Sequence, residues 1–208
     1  MMTWDEVLND LPNSYKQWFE EEKIYLRKNI TKNSIVLEVG CGEGRSLRDV
    51  FPITKNLTGI DHDPKAFEEV KSHFKKYPTV KLKKADATNL PFKAKTFDFV
   101  ICMTTFANFG KQKFKVLREM KRVLKDQGTI ILSVFSEDAF GERMKLYDKL
   151  KFPFKKIVGT TVYFDDKWGE GISEQFSEKQ LRIIFKKVNL KIKEIIKLRM
   201  SYICKLSK

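Results

Sequence analysis

Short apolar runs that favour strands alternate along this chain with helical stretches, and this alternation limits the fold more than any other feature. We predict five strands from these runs, which are SIVLEVG, NLTGIDHD, TVKLKKADA, TFDFVICMT and GTIILSVF. Such an alternation implies an α/β fold, with a mostly parallel sheet, helices on both of its faces and right-handed crossovers. Ligands bind to folds of this kind at the carboxyl ends of the strands.

The helical stretches carry recognisable start and stop signals. Residues 14–29 place aromatic and aliphatic side chains at helical spacing behind Ser14, which we expect to cap the helix. Pro64 is expected to open the helix after the second strand. Gly128 is expected to stop the helix that precedes the fifth strand.

A glycine-rich loop follows the first predicted strand in the sequence VLEVGCGEG. Glycines at 40, 42 and 44 allow a tight turn and let a ligand approach the backbone closely. A dinucleotide fingerprint would need its third glycine at position 45, where this chain has Arg45. The spacing is instead G-x-G-x-G, and Asp61 stands 21 residues after Gly40 at the end of the second strand.

This loop and acid resemble the nucleotide site of the class I S-adenosylmethionine-dependent methyltransferases. The resemblance extends to GIDHDP, ADATNLPF, FDFVICMTTFANF and LREMKRVLKDQGTIILS, and to the helix and two strands at the carboxyl end. It covers about residues 34–134 and 174–206. It implies a three-layer, Rossmann-like fold with a seven-stranded sheet whose last strand is antiparallel, and S-adenosylmethionine as cofactor.

The resemblance also implies how the chain is organised. We predict a single methyltransferase domain over residues 1–208. Within it, residues 1–30 form a helical lid, 31–135 the cofactor-binding core, 136–175 a segment that covers the substrate, and 176–208 a last helix with its strands.

Cofactor-binding roles follow from the resemblance, position by position. Glu38 would orient the loop, Asp61 would take the two ribose hydroxyls, and Asp86 would accept from the adenine amine. A carboxylate suits the ribose because it only accepts hydrogen bonds. The remaining predicted cofactor contacts are Trp18, Gly40, Cys41, Gly42, Gly44, His62, Ala87, Met103 and Thr104.

The acceptor is much less well defined by the sequence. Tyr15 and Trp18 are candidates for a lid, with core packing as the alternative. Asn108 stands where many family members carry a histidine. Tyr163 and Trp168 alternate with acids and are candidates for holding an amine or cationic substrate, although the same segment could simply cover the edge of the sheet. No catalytic residue can be named, because methyl transfer mainly requires positioning and exclusion of water.

Composition limits the cellular setting. No apolar run reaches the roughly 18 residues of a membrane span, and the first residues carry acids where a signal peptide is basic and apolar, so we predict a soluble, cytoplasmic protein that does not bind membranes. The three cysteines form no CxxC pair, and no metal site is predicted. A monomer or homodimer is expected.

The formal net charge of +14 raises the question of an anionic partner. Only eight of the basic residues are arginine, and the lysines are scattered along the chain. We therefore predict methyl transfer to a small molecule. RNA or protein methylation is the less favoured alternative, and a nicotinamide-dependent oxidoreductase or a non-catalytic nucleoside-binding protein is the alternative of another class.

Overall fold

The computed structural model of the chain describes residues 11–165 and 171–208. Its helices are α1 (Asn13–Asn29), α2 (Arg45–Val50), α3 (Pro64–His73), α4 (Lys113–Val123), α5 (Phe140–Lys149) and α6 (Glu178–Lys187). Its strands are β1 (Val36–Val39), β2 (Leu57–Asp61), β3 (Lys81–Lys84), β4 (Phe97–Met103), β5 (Leu124–Phe135), β6 (Phe154–Val158), β7 (Thr161–Phe164), β8 (Ile172–Ser173), β9 (Lys191–Lys197) and β10 (Ser201–Ser207). The turn after β4 contains a short 3₁₀-helix, Thr105–Asn108.

Seven strands form the main sheet in the order β3-β2-β1-β4-β5-β10-β9. The first five are parallel to one another, and β10 runs antiparallel to both β5 and β9. Because chain order reverses at β1, where β2 lies on one side and β4 on the other, the glycine loop after β1 lies at a topological switch point. The predicted fold class is confirmed.

The inner strands of the sheet are buried on both faces, which explains their continuous apolar runs. Side chains that alternate along β1 enter two separate cores, with Leu37 in one and Val36 in the other. The first core packs against Leu117 of α4 and Phe185 of α6. The second packs against apolar side chains of α1, α2 and α3, such as Leu47. The helices therefore form a layer on each side of the sheet.

Two predicted helix boundaries are wrong, each for a physical reason. Ser14 lies inside α1, whose N-cap is Pro12, and it makes no cap hydrogen bond. α4 ends at Val123 because Leu124 is already extended, is fully buried and pairs with Phe97 of β4. Gly128 therefore lies inside β5, where a Cβ atom would come within 2.9 Å of the Asp98 carbonyl oxygen. The prediction for Pro64 is confirmed, since it occupies the first turn of α3 behind the Asp63 cap.

A smaller antiparallel sheet, β6-β7-β8, follows α5. Two backbone hydrogen bonds fasten the chain after β8 to the main sheet: Glu174 N–H donates to the Ala107 carbonyl, and Phe176 N–H donates to that of Phe135. Ala107 lies just after the carboxyl end of β4, and Phe135 is the last residue of β5. The small sheet is thus attached at the edge where the glycine loop also lies.

None of the helices in the described part of the chain is both long enough and apolar enough to cross a membrane.

Candidate functional site

The glycine loop adopts the backbone that its sequence predicts. Gly40, Gly42 and Gly44 have φ values of +72°, +49° and +88°, all in the left-handed region that side chains disfavour. A Cβ on Gly40 would come within 2.3 Å of the Thr105 side chain, and one on Gly44 within 2.4 Å of Phe74. A Cβ on Gly42 would meet nothing within 4 Å. The loop therefore packs tightly at both ends and leaves its middle free for a ligand.

Asp61 connects the end of β2 to this loop. Its Oδ2 accepts from Gly42 N–H at 2.9 Å, and its Oδ1 accepts from Asp63 N–H at 3.0 Å. The side chain is only 11% exposed. The next residue, His62, is 82% exposed, and its ring lies 3.7 Å from Asp61. The predicted acid and histidine thus lie side by side at the carboxyl edge, beside the open middle of the loop.

Asp86 and Ala87 follow β3 at the same edge, where Ala85 N–H donates to the Asp61 carbonyl. Both carboxylate oxygens of Asp86 accept from Thr88, one from its N–H at 2.7 Å and one from its hydroxyl at 2.8 Å. The hydrogen bond from the Thr88 N–H is the main reason why the pKa of Asp86 is lowered. Asp86 is therefore held ionised in a turn, and its role toward adenine stays a prediction.

Met103 and Thr104 mark the end of β4. Met103 is 2% exposed and pairs in register with Ser133 of β5. Thr104 has φ +67°, an unfavourable value for a threonine, and its N–H donates to the Ser133 carbonyl. A strained, partly exposed residue at a strand end is a common feature of functional sites, so the predicted role of Thr104 gains support.

A buried charge cluster under the loop was not predicted. Glu38 of β1 is 2% exposed, and Glu22 of α1 is fully buried. Arg45 Nη2 donates to Glu22 Oε2 at 2.6 Å. Burial is the main cause that raises the pKa of each carboxyl, and Arg45 opposes the rise. The sequence held a signal for Glu22, because it lies on the same helical face as Trp18 and Leu26, which are apolar.

The loop fits the amino-acid part of S-adenosylmethionine. Oε2 of Glu38 is buried without a hydrogen-bond partner among the described residues, and a cationic amino group would satisfy it. The open backbone at Gly42 offers the close approach that a ligand carboxylate needs. Asp61 lies next to Gly42, and its carboxylate can accept hydrogen bonds from the hydroxyl groups of the ribose. When bound, the cofactor supplies an electrophilic methyl group on a sulfonium.

The predicted lid residues are packed into the body of the protein. Trp18 is 1% exposed, donates from Nε1 to the Ser133 hydroxyl at 3.2 Å and packs on the Phe135 ring at a centroid distance of 4.7 Å. Tyr15 is 5% exposed and contacts the same ring at 6.3 Å. α1 thus covers the carboxyl ends of β4 and β5, and contact of these side chains with ligands stays a prediction.

The other acceptor candidates are not brought together. Asn108 is exposed at the end of the 3₁₀-helix after β4. Tyr163 lies on β7, with the Lys156 ammonium 4.9 Å from its ring centre. Trp168 lies outside the described residues. An amine-binding role for Tyr163 stays a prediction, and the cation that it faces here is the protein's own.

Arg143 of α5 was also missed by sequence reasoning. The residue is 4% exposed, and its guanidinium lies 3.5 Å from the Phe135 ring centre. The guanidinium donates to the hydroxyls of Tyr147 and Ser173 and also bonds to that of Tyr15. The sequence held a similar signal for Arg143, because Ala139 and Tyr147, four residues before and after it, place it on a buried face of the helix.

Cys41 is buried next to the loop, and burial raises the pKa of its thiol far above its usual value. It therefore contributes to the loop as a small packed side chain and a backbone donor. Within the described ranges, no cluster of histidine, cysteine or acidic side chains has the arrangement of a metal site.

Comparison with known proteins agrees with this geometry. Residues 37–132 match a family model described as a methyltransferase domain. The uncharacterised protein MJ1252 of Methanocaldococcus jannaschii is 34% identical over 74% of this chain, which spans 58% of that protein's length. The demethylmenaquinone methyltransferase of Bacillus licheniformis is 26% identical over 85% of this chain and 78% of its own.

A solved structure extends the match beyond the family model. The crystal structure of a SAM-dependent methyltransferase from Methanosarcina mazei superposes with a TM-score of 0.69 at 21% identity, covering 88% of this chain and 96% of the other. Fold and site together define a nucleotide-binding α/β protein of the methyltransferase type. The family model, the relatives and the superposed structure together support a class I S-adenosylmethionine-dependent methyltransferase, with S-adenosylmethionine as cofactor.

Proposed function

We propose that this protein transfers the methyl group of S-adenosylmethionine to a small-molecule acceptor bound beneath residues 136–175. The observation that carries the proposal is the loop itself. A left-handed glycine turn, open at Gly42, is flanked by Asp61 and by a buried Glu38 oxygen that has no partner in the described part of the chain. These groups complement an amino acid joined to a ribose.

A small acceptor is favoured by how this edge of the sheet is covered. α1 closes one side through Trp18, and the chain after β8 closes the other through Glu174, whose N–H bonds to Ala107 and whose carboxylate pairs with Lys113 at 2.6 Å. A covered site admits a small molecule more readily than a folded polymer. The similarity to a methyltransferase that acts on demethylmenaquinone supports the same class of acceptor.

RNA methylation is the second candidate, supported by a basic groove. Lys111, Lys115, Arg118 and Lys187 line it around the Phe114 ring. Lys115 and Arg118 lie on α4 and Lys187 on α6, while Lys111 lies in the turn just before α4. Both helices pack on the face of the sheet opposite α1, α2 and α3, so the groove is not on the side that α1 covers.

Cofactor binding is the first test. S-adenosylhomocysteine at about 100 times its dissociation constant should add about 2.7 kcal/mol to the free energy of unfolding, which is seen as a higher melting temperature. NAD should have no effect. Stabilisation by NAD and none by S-adenosylhomocysteine would refute the proposal. Transfer of a labelled methyl group to a metabolite extract, and not to total RNA, distinguishes the two candidate acceptors.

A further inference from the structure

Two buried atoms with complementary hydrogen-bonding chemistry lie in the charge cluster under the glycine loop without bonding to each other. Oε2 of Glu38 and Nη1 of Arg45 both lack a hydrogen-bond partner among the described residues. A carboxylate oxygen accepts and a guanidinium N–H donates, so the two atoms would satisfy each other if they met. A buried polar atom without a hydrogen bond is costly and calls for an explanation. The other contacts of Arg45 supply one.

Glu22 of α1 is the group that holds the Arg45 side chain in place. It is fully buried, and its Oε2 accepts from Arg45 Nη2 at 2.6 Å. The Phe19 ring lies against the same guanidinium, with its centre 4.1 Å from Cζ. Asp49 is further off, with Oδ2 3.8 Å from Nη1, and its side chain is 19% exposed. Of these three contacts, the charged hydrogen bond to Glu22 is the shortest and the strongest.

The balance of charge links this ion pair to the cofactor. Burial raises the pKa of both Glu22 and Glu38, and Arg45 is the main cause that opposes the rise in each. One guanidinium therefore acts on two buried carboxyls, although it bonds to only one of them. A buried carboxylate needs a cation of its own to be stable. The amino group of bound S-adenosylmethionine would supply that cation at Glu38.

We propose that Glu22 is a positioning residue, which keeps Arg45 engaged and so leaves Oε2 of Glu38 free to bind the amino group of the cofactor. Without Glu22, the guanidinium would turn to Glu38, because a buried carboxylate attracts it more strongly than the partly solvated carboxylate of Asp49. Arg45 and the amino group would then compete for one carboxylate. This inference rests on the proposed function, since it concerns the cofactor site of that reaction.

The test compares S-adenosylhomocysteine with its desamino analogue, in which hydrogen replaces the amino group. Both are titrated into the full chain by calorimetry, and the ratio of their dissociation constants measures what the amino group contributes. We expect the unaltered protein to bind S-adenosylhomocysteine at least about tenfold more tightly, the usual effect of a hydrogen bond between charged groups. Glu22→Met should reduce the ratio to within about threefold by weakening S-adenosylhomocysteine alone. Glu20→Met, which loses an exposed ion pair with Lys23 on the same helix, should keep the full ratio.

A double variant separates this role from a purely structural one. Glu22→Met combined with Arg45→Met removes the competing guanidinium as well, so the preference for the amino group should return. If Glu22→Met does not fold, the double variant, from which both charges of the pair are removed, is compared with the unaltered protein and should show the same preference.

Several results would overturn the proposal. They are an unchanged ratio in Glu22→Met, an equal loss of affinity for both ligands in that variant, and a double variant that lacks the preference. Equal binding of the two ligands by the unaltered protein would also overturn it. Failure of the unaltered protein to bind S-adenosylhomocysteine at all would refute the proposed function instead.

Discussion

At the scale of single residues, Glu38 shows how a site can work against stability. The carboxyl lies in the middle of a parallel sheet, where burial raises its pKa well above the usual carboxyl range. The folded protein therefore holds a proton that the unfolded chain releases. Because the folded state binds more protons, the free energy of unfolding falls as pH rises from the usual carboxyl range through the raised pKa.

Glu38→Gln removes this titration and keeps the shape of the side chain. We expect the variant to lose less of its unfolding free energy than the unaltered protein as the pH rises above the usual carboxyl range. Its affinity for S-adenosylhomocysteine should fall, because an amide attracts the amino group less strongly. Urea unfolding and calorimetry measure the two effects. The matched control is Glu68→Gln, whose side chain is 70% exposed. Parallel pH profiles for Glu38→Gln and the unaltered protein would argue against this account.

Asp61 is expected to contribute mainly to affinity. Loss of a charged acceptor for two hydroxyls should cost about 2–3 kcal/mol, or roughly 30- to 150-fold in affinity for S-adenosylhomocysteine. Asp61→Ala also removes the acceptor for Gly42 N–H, so some loss of loop order is expected with it. Asp86→Ala should cost less, because that carboxylate is exposed and already bonded to Thr88. Equal affinities for Asp61→Ala and the unaltered protein, measured by calorimetry, would refute the predicted role.

At the scale of elements, α1 is fixed to the sheet by one face. Trp18, Glu22 and Leu26 are buried on that face, while Ile24 on the other is 58% exposed. The buried face combines a hydrogen bond to Ser133, an ion pair to Arg45 and ring packing on Phe135. The helix is thus part of the tertiary core in this structure.

Trp18→Ala should therefore cost about 3–5 kcal/mol of unfolding free energy, the usual effect of truncating a fully buried large side chain. Ile24→Ala on the same helix should change it by no more than about 0.5 kcal/mol, because that side chain is exposed. Urea unfolding of both variants makes the comparison. Similar small effects would mean that α1 opens readily, as a mobile lid would.

The elements also show what a sequence can and cannot reveal. The order of strands and helices was predictable because each apolar run has a period that matches its element. The left-handed turn of the loop was also predictable, because it depends on three glycines that lie close together in the sequence, Gly40, Gly42 and Gly44. The sequence marked Arg45 only as the residue that replaces the third glycine of a dinucleotide fingerprint. Its ion pair with Glu22 was not predicted, because Glu22 lies 23 residues away on another helix. Contacts of that kind depend on tertiary packing, which no local pattern encodes.

At the scale of the whole molecule, part of the net charge of +14 lies in two basic grooves. The groove formed by α4 and α6 is lined by four cations, and a second groove around Leu190 is lined by Arg182, Lys186 and Lys191. Basic surfaces of this kind attract polyanions without reading their sequence.

We expect RNA binding to be weak, independent of sequence and lost with salt. A protein that makes about six to ten phosphate contacts loses roughly 10³- to 10⁵-fold in affinity between 50 and 200 mM salt. Binding of S-adenosylhomocysteine should respond far less over the same range, because a small ligand releases few counterions when it binds. Fluorescence titrations at both salt concentrations test this. Efficient methyl labelling of RNA at physiological salt would instead make the basic grooves part of the active surface.

The strand order places β10 between β5 and β9, although β9 comes earlier in the chain. Among the described strands, β9 therefore joins the sheet only through β10. Ile192 and Ile195 of β9 pack against the finished core, so they are covered only when β10 lies against β5. Any state in which β10 has left β5 exposes these isoleucines to aggregation, and substitutions that weaken the pairing of β10 with β5 should lower the yield of folded protein.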